Sequence, residues 1–325
     1  MSENSASFTI PCHDIVSVVE FVPFEWCTNL LAVGTNSRVT IYRVDLRDES
    51  EDEKPFEFKQ VRDFQNGCRV TAISWSPETS YESREVADCL RFAVAGSNNR
   101  IQLFESDLRE KDAVELLEGH TDFINSVAYN PQSGETLAST GDDLTCKLWV
   151  GDELNASFQL GAPGMSVCIH EKEPGKVMVA QKDGIIKIFS MDLQLQIMSL
   201  DCCQSPLMGA DWSRLDDDVI AAVAGTEWLI FHLSRSSQPQ ERRQAHPEGA
   251  RDIRWAKSTP ILLATTGRPG RQIKVFSTRH HQVPLSTSQQ VAYGMSWHYT
   301  HPLLAVGGDQ QVKVYHIEPN RAQLG

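Results

Sequence analysis

Seven segments of this chain stack on one another: IVSVVEFVP (15–23), RVTAISWSP (69–77), DFINSVAYNP (122–131), GMSVCIHEK (164–172), LMGADWSRL (207–215), ARDIRWAKS (250–258) and YGMSWHYTHP (293–302). In each, small or apolar residues lead to one bulky position, held in turn by Phe21, Trp75, Tyr129, Ile169, Trp212, Trp255 and Trp297. Four of the seven tryptophans fall in that single register. A second apolar run follows each segment, from LLAVG at 30–34 to LLAVGG at 303–308. After a turn comes a third run that closes on an apolar-aromatic pair, from Ile41-Tyr42 through Leu148-Trp149 to Val314-Tyr315. The closing aromatics lie 62, 45, 40, 42, 45 and 39 residues apart. Strand-length runs with period-two alternation, broken by turn residues and repeated seven times, restrict the chain to an array of small antiparallel sheets.

One such sheet cannot bury its own two faces, so neighbours must cover them and the array must close. The expected fold is all-β, a seven-bladed β-propeller forming a single domain over 1–325, with the blades in 15–319 and a tail at 320–325. After the third run of the seventh repeat only eight residues remain, with a proline second among them, so a fourth strand must come from elsewhere. SFTIPC at 7–12 alternates in the right way. The N-terminal segment 1–14 is therefore expected to close blade seven and remove an open edge.

The stretch LEGHTDFINSVAYNP (117–131) places a histidine, an aspartate and a serine close together, as a hydrolase would. Continued to residue 149, it resembles the WD40 repeat: Gly119-His120 at the start, Asp143 in a turn and Trp149 at the close. That resemblance implies a WD40-type propeller in which His120, Ser139, Asp143 and Trp149 form a buried hydrogen-bonded set. A buried imidazole and carboxylate are costly unless they satisfy each other, so such a set pins loop to turn. A catalytic reading needs Ser126 as an exposed nucleophile. Yet Ser126 sits among Ile124, Val127 and Ala128 without the glycines of a nucleophile elbow, so the histidine is expected to be structural. The other six repeats lack the Gly-His pair and match by strand pattern alone.

Other chemistry is sparse. His170-Glu171 begins like a zincin helix, but residue 174 is proline and the context is strand. His280-His281 follows a third strand, as a loop pair would, and no P-loop, dinucleotide fingerprint or metal-ligand spacing is visible. No catalytic, cofactor or metal site is expected. The eight cysteines form no Cys-x-x-Cys pair, and several fall in apolar runs, which points to buried thiols rather than a disulfide framework. The start, MSENSASFTI, does not read as a signal peptide, and no apolar stretch reaches the roughly 20 residues of a membrane helix.

A net charge of −13 argues against direct nucleic-acid binding. The charge is uneven, however. Residues 235–281 hold ten Lys/Arg against three Asp/Glu, and the run DLRDESEDE (45–53) reads as an acidic insertion in blade one. Within the basic sector Arg242, Arg243, Arg268, Arg271 and Lys274 are candidate partner-binding residues for an acidic protein surface, since loops on a rigid scaffold are where binding concentrates.

LEGHTDFIN (117–125), APGMSVC (162–168), SPLMGADW (205–212), AVAGTEWLIF (222–231), SRSSQPQ (234–240), ATTGRPG (264–270) and MSWH (295–298) resemble the small WD-repeat nucleoporins of about thirty-seven kilodaltons over essentially the whole chain. The resemblance implies a non-enzymatic scaffold of the Y-shaped outer-ring subcomplex of the nuclear pore, supporting pore assembly and nucleocytoplasmic transport. Its implied partners are the large α-solenoid nucleoporin of the short arm and other outer-ring nucleoporins, with no membrane insertion and no small-molecule substrate. It also implies a place at the nuclear envelope and, in mitosis, at kinetochores. Two other readings exist for a propeller. A cullin-type ligase receptor often carries Trp-Asp-x-Arg after a third strand, where this chain has Phe276-Ser277-Thr278-Arg279. A channel enzyme or peptide reader would need polar groups converging at the central channel.

Overall fold

The computed structural model describes residues 6–46, 56–84, 86–109, 112–280, 283–290 and 293–317. These residues contain strands and no helix, arranged as seven four-stranded antiparallel sheets. Blade one comprises β2 (Val18–Phe21), β3 (Leu30–Gly34), β4 (Arg38–Leu46) and β5 (Phe56–Gln65). Blade two has β6 (Val70–Trp75), β7 (Leu90–Gly96), β8 (Ile101–Ser106) and β9 (Asp112–Leu117). Blade three has β10 (Ile124–Asn130), β11 (Ser133–Gly141), β12 (Thr145–Val150) and β13 (Glu153–Gln159). Blade four has β14 (Gly164–Ile169), β15 (Lys176–Gln181), β16 (Ile185–Ser190) and β17 (Leu195–Asp201). Blade five has β18 (Leu207–Trp212), β19 (Val219–Ala224), β20 (Glu227–His232) and β21 (Glu241–Gln244). Blade six has β22 (Ala250–Trp255), β23 (Leu262–Gly267), β24 (Gln272–Ser277) and β25 (Leu285–Ser288). Blade seven joins β26 (Tyr293–Trp297), β27 (Leu303–Gly307) and β28 (Gln311–His316) to β1 (Phe8–Pro11) from the other end of the chain.

The closing strand is antiparallel to β28, with Ile10 opposite Val312. Ile10 is fully buried and Phe8 stacks on Phe56 of blade one at 4.4 Å, so β1 fills the joint between the seventh and first blades as well as pairing an edge. Residues 1–5, most of the acidic run (47–53) and the tail at 320–325 lie outside the described residues, as does His281.

Apolar packing is divided among the joints. Each consecutive pair of blades encloses its own cluster, such as Leu103, Val127, Tyr129 and Trp149 between blades two and three. The second strands are covered on both faces, and β3, β19, β23 and β27 are buried along their whole length. Six of the seven innermost hairpins carry a register shift at the start of the inner strand, where the ring is tightest and a bulge bends the strand. In blade seven the bulge places Gly294 at φ +66, and a β-carbon there would come within 2.9 Å of the Val19 nitrogen. Only glycine fits that approach without strain.

All eight cysteines are free thiols, but burial is less uniform than the sequence suggests. Cys27, Cys146 and Cys202 are buried, four are half-buried and Cys203 is exposed, although Cys202 and Cys203 are adjacent in the connection between β17 and β18.

Candidate functional site

Ser126 is held by the architecture. Its Oγ accepts the backbone N–H of Val167 in the next blade at 3.2 Å. The same device recurs around the ring: Ser74 accepts from Tyr129 (2.9 Å), Ser166 from Ala210 (3.0 Å), Asp211 from Trp255 (2.8 Å) and Ser296 from Phe21 (2.9 Å). Inner-strand hydroxyls and one carboxylate thus bind five of the seven blades to their successors where no strand ladder connects them.

The four residues of the blade-three set meet in one network. His120 Nδ1 lies 2.7 Å from Asp143 Oδ2, and His120 Nε2 lies 2.7 Å from Ser139 Oγ. Trp149 Nε1 donates to the same Ser139 oxygen at 2.8 Å. Asp143 also takes the hydroxyl and backbone N–H of Thr145 and the N–H of Thr121. A neutral imidazole with its proton on Nδ1 satisfies every member, since Ser139 can then donate to Nε2. Burial pushes the His120 pKa below its ordinary value, against the pull of the Asp143 carboxylate. Burial would raise Asp143, but hydrogen bonds from Thr145 and His120 outweigh it and hold the carboxyl low. Gly119 precedes the histidine because a β-carbon there would sit 3.0 Å from the Trp149 ring. Removing the imidazole in His120→Ala leaves the Ser139 hydroxyl without its acceptor and takes one donor from Asp143 Oδ2, and should destabilise the fold by about 1–3 kcal/mol. Denaturant melts read this directly; a loss below about 0.5 kcal/mol would mean the network holds nothing.

A second member of this series went unread in the sequence. His246 is fully buried and its Nε2 lies 2.9 Å from Thr265 Oγ1 in blade six. The spacing is nineteen residues, the same as from His120 to Ser139, and that spacing was the available signal. The dipeptide is Ala245-His246, so a search for Gly-His passes over it. His170 and His298 are capping groups: Nδ1 of each accepts backbone N–H groups from the turn that follows.

The central channel gathers polar groups that lie far apart in sequence. The residue before each bulky position lines one cavity of about 470 Å3, bringing Glu20, Ser74, Cys168, Asp211, Arg254 and Ser296 together with Ala128. Burial pushes the Glu20 carboxyl up to about 7, with Arg254 and Lys257 pulling the other way. Among the described residues no cluster could hold a metal ion.

These groups give stability a pH dependence of mixed sign. Burial depresses His246 and His298 to about 4 from 6.5, helped by Lys274 and His301 respectively. Below about 6.5 the unfolded chain takes up protons that the folded one refuses, so this stability is full above 6.5 and is lost toward pH 4. Glu20 works in reverse, because its raised pKa adds stability as pH falls from about 7 through 4.5. By pH 5 each histidine has cost roughly 2 kcal/mol and Glu20 has returned roughly 2. Between pH 7 and 5 the protein should lose roughly 2 kcal/mol, and Glu20→Gln roughly 4. Equal losses in the two proteins, measured by urea melts, would remove the role given to Glu20.

The five candidate basic residues do not form one patch. Arg268 and Arg271 stand in the β23–β24 turn at one end of blade six. Arg271 reaches the Gln290 carbonyl and the Tyr293 ring. Lys274 is half-buried, with Nζ 2.9 Å from the Ala245 carbonyl. Arg243, on the outer strand of blade five, donates to the carbonyls of Ser277, Thr278 and His280 in blade six. Arg242 and Arg268 alone of the five are exposed.

Seven four-stranded blades in a ring, one carrying a His-Ser-Asp-Trp network, define a WD40-repeat β-propeller. A family model for the WD domain, G-beta repeat, matches residues 112–150 and 270–316. The chain is 41% identical over 314 residues to Nucleoporin Nup37 of Mus musculus, an alignment covering 95% of this chain and 96% of that one. Nucleoporin Nup37 of Homo sapiens is also 41% identical, over 96% and 97% of the two chains. The Drosophila melanogaster protein of that name is 30% identical over 95% and 94%. The chain belongs to the Nup37 family of nucleoporins.

Proposed function

We propose that this chain is a non-enzymatic scaffold subunit of the Y-shaped outer-ring subcomplex of the nuclear pore, supporting pore assembly and nucleocytoplasmic transport. The observation that carries the reading is likeness to Nup37 proteins over nearly the full length of both chains. In this reading it docks on the large α-solenoid nucleoporin of the short arm and on other outer-ring nucleoporins, resides at the nuclear envelope, and joins kinetochores in mitosis. Geometry supports a scaffold: Ser126, His120, His170 and His246, the groups a hydrolase would need free, are engaged in hydrogen bonds of the fold. The basic sector is the proposed docking region, with Arg242 and Arg268 the exposed members of the five candidates.

Tagged protein recovered from interphase nuclei should bring down outer-ring nucleoporins in stoichiometric amounts. Arg268→Glu with Arg271→Glu should deplete them, provided the variant melts like the parent. Recovery of a cullin adaptor without nucleoporins would replace this reading with the ligase-receptor one.

A further inference from the structure

Six of the seven tryptophans are at most 6% exposed, whereas Trp26 is 58% exposed. It stands outside the blade register, in the connection between β2 and β3. There Phe24 to Cys27 form a tight turn, closed by the Cys27 N–H donating to the Phe24 carbonyl at 3.2 Å, with Glu25 and Trp26 at its tip. A single exposed apolar residue would carry no meaning. This ring is held, however. Its Nε1 donates to the Thr79 carbonyl of blade two at 3.0 Å, and Phe24 stacks on it at 5.0 Å between centroids and 7° between planes. One face is taken and the other is open, on a side chain with little rotamer freedom left to lose on binding.

The surroundings of the ring supply the second, independent observation. Trp26 lines a groove of about 610 Å3 with Pro77 and Glu78 of blade two and Pro131, Gln132 and Glu135 of blade three. The two charged side chains in that lining are both acids, and no cation balances them there. Glu78 is paired with Arg91 of β7. Glu135 and Glu25 are exposed and have no ion pair among the described residues.

We propose that this groove binds an arginine-bearing segment of a partner polypeptide, one guanidinium lying on the open face of Trp26 and donating to the Glu135 carboxylate while Glu25 adds its attraction. Indole is the best of the aromatic faces for a cation. Arginine suits it better than lysine, because its plane stacks on the ring while its fork still reaches a carboxylate. The unbalanced acids repel nucleic acid and acidic peptides, and outside residues 235–281 the chain is strongly acidic, so a basic segment is steered toward it. The volume suits a few residues of extended chain. The β2–β3 connection and the β23–β24 turn that holds Arg268 lie at opposite ends of the ring, since successive turns of an antiparallel blade alternate between its ends. Both surfaces can therefore be occupied together, and the groove does not depend on the scaffold reading above.

The test uses the full chain and a blocked decapeptide of alternating arginine and serine, with lysine–serine and proline–serine decapeptides as further probes. Indole N–H resonances are followed by 15N-correlated NMR, and Trp26→Phe identifies the one of interest. The Trp26 resonance should move with a saturable titration while those of Trp149 and Trp228 stay in place. The lysine peptide should bind about threefold or more weaker. Glu25→Gln with Glu135→Gln should weaken the arginine peptide about tenfold, and so should Trp26→Leu. All three side chains are exposed, and melts of the variants show that the fold is kept. Glu248→Gln with Asp309→Asn removes two exposed acids at the other end of the ring and should leave the affinity unchanged. Equal binding of the arginine and lysine peptides, equal binding by Trp26→Leu, or an equal loss in the remote pair would each overturn the proposal in favour of diffuse attraction to an acidic chain. A proline peptide that binds as well as the arginine one would overturn it in favour of a reader of polyproline segments.

Discussion

Trp255→Ala should cost about 3–5 kcal/mol of folding free energy. The ring is 3% exposed and wedged at the joint between blades five and six among Val219, Ile230, Ile253 and Phe276. Those neighbours sit on strands whose ladders fix their backbones, so they cannot close on the cavity that alanine leaves. Trp255→Phe separates packing from hydrogen bonding. It removes an N–H that has no acceptor, so it should cost below about 1.5 kcal/mol. Trp297→Phe, which also gives up the bond to the Arg254 carbonyl, should cost about 1 kcal/mol more than that. Urea midpoints at constant slope provide the comparison. A loss below about 1 kcal/mol for Trp255→Ala would mean the ring is not wedged between blades.

Deleting residues 1–12 should cost about 3–5 kcal/mol, because fully burying one large apolar side chain stabilises by about 1.5–3 and Phe8 adds a further share to Ile10. The melting temperature should fall by several degrees. The deletion also uncovers the β28 edge, so self-association should rise with concentration. A peptide of residues 6–16 added in trans should reverse both effects by refilling the gap. A truncated protein that melts like the parent would show that β1 does not hold the ring closed.

What was legible in the sequence is what each blade encodes locally. The bulky register from Phe21 to Trp297 places every inner strand, because small and large residues must alternate wherever a sheet is covered on both faces. The blade-three network was legible because His120, Asp143 and Trp149 keep fixed offsets within one repeat. Its blade-six counterpart was hidden by attention to the residue before the histidine, although His246 and Thr265 keep the same offset. The channel groups could not be read, since Glu20 and Ser296 become neighbours only when the ring closes. The spatial arrangement of the basic sector could not be read for the opposite reason. Residues close in sequence were separated, because β21 is an outer edge while the turn holding Arg268 is at the end of a different blade.

The joint between β1 and β28 also sets an order of events during synthesis. Phe8 emerges from the ribosome early, yet its partner Val314 is made roughly three hundred residues later, and contacts of such separation close slowly. At about 5–20 residues per second, β1 therefore waits for tens of seconds as an unpaired, partly apolar segment. Six blades can pack before it has a place to go. The last step of maturation is then a docking event at one seam, and a nascent chain still short of β28 is where holding chaperones would be needed most.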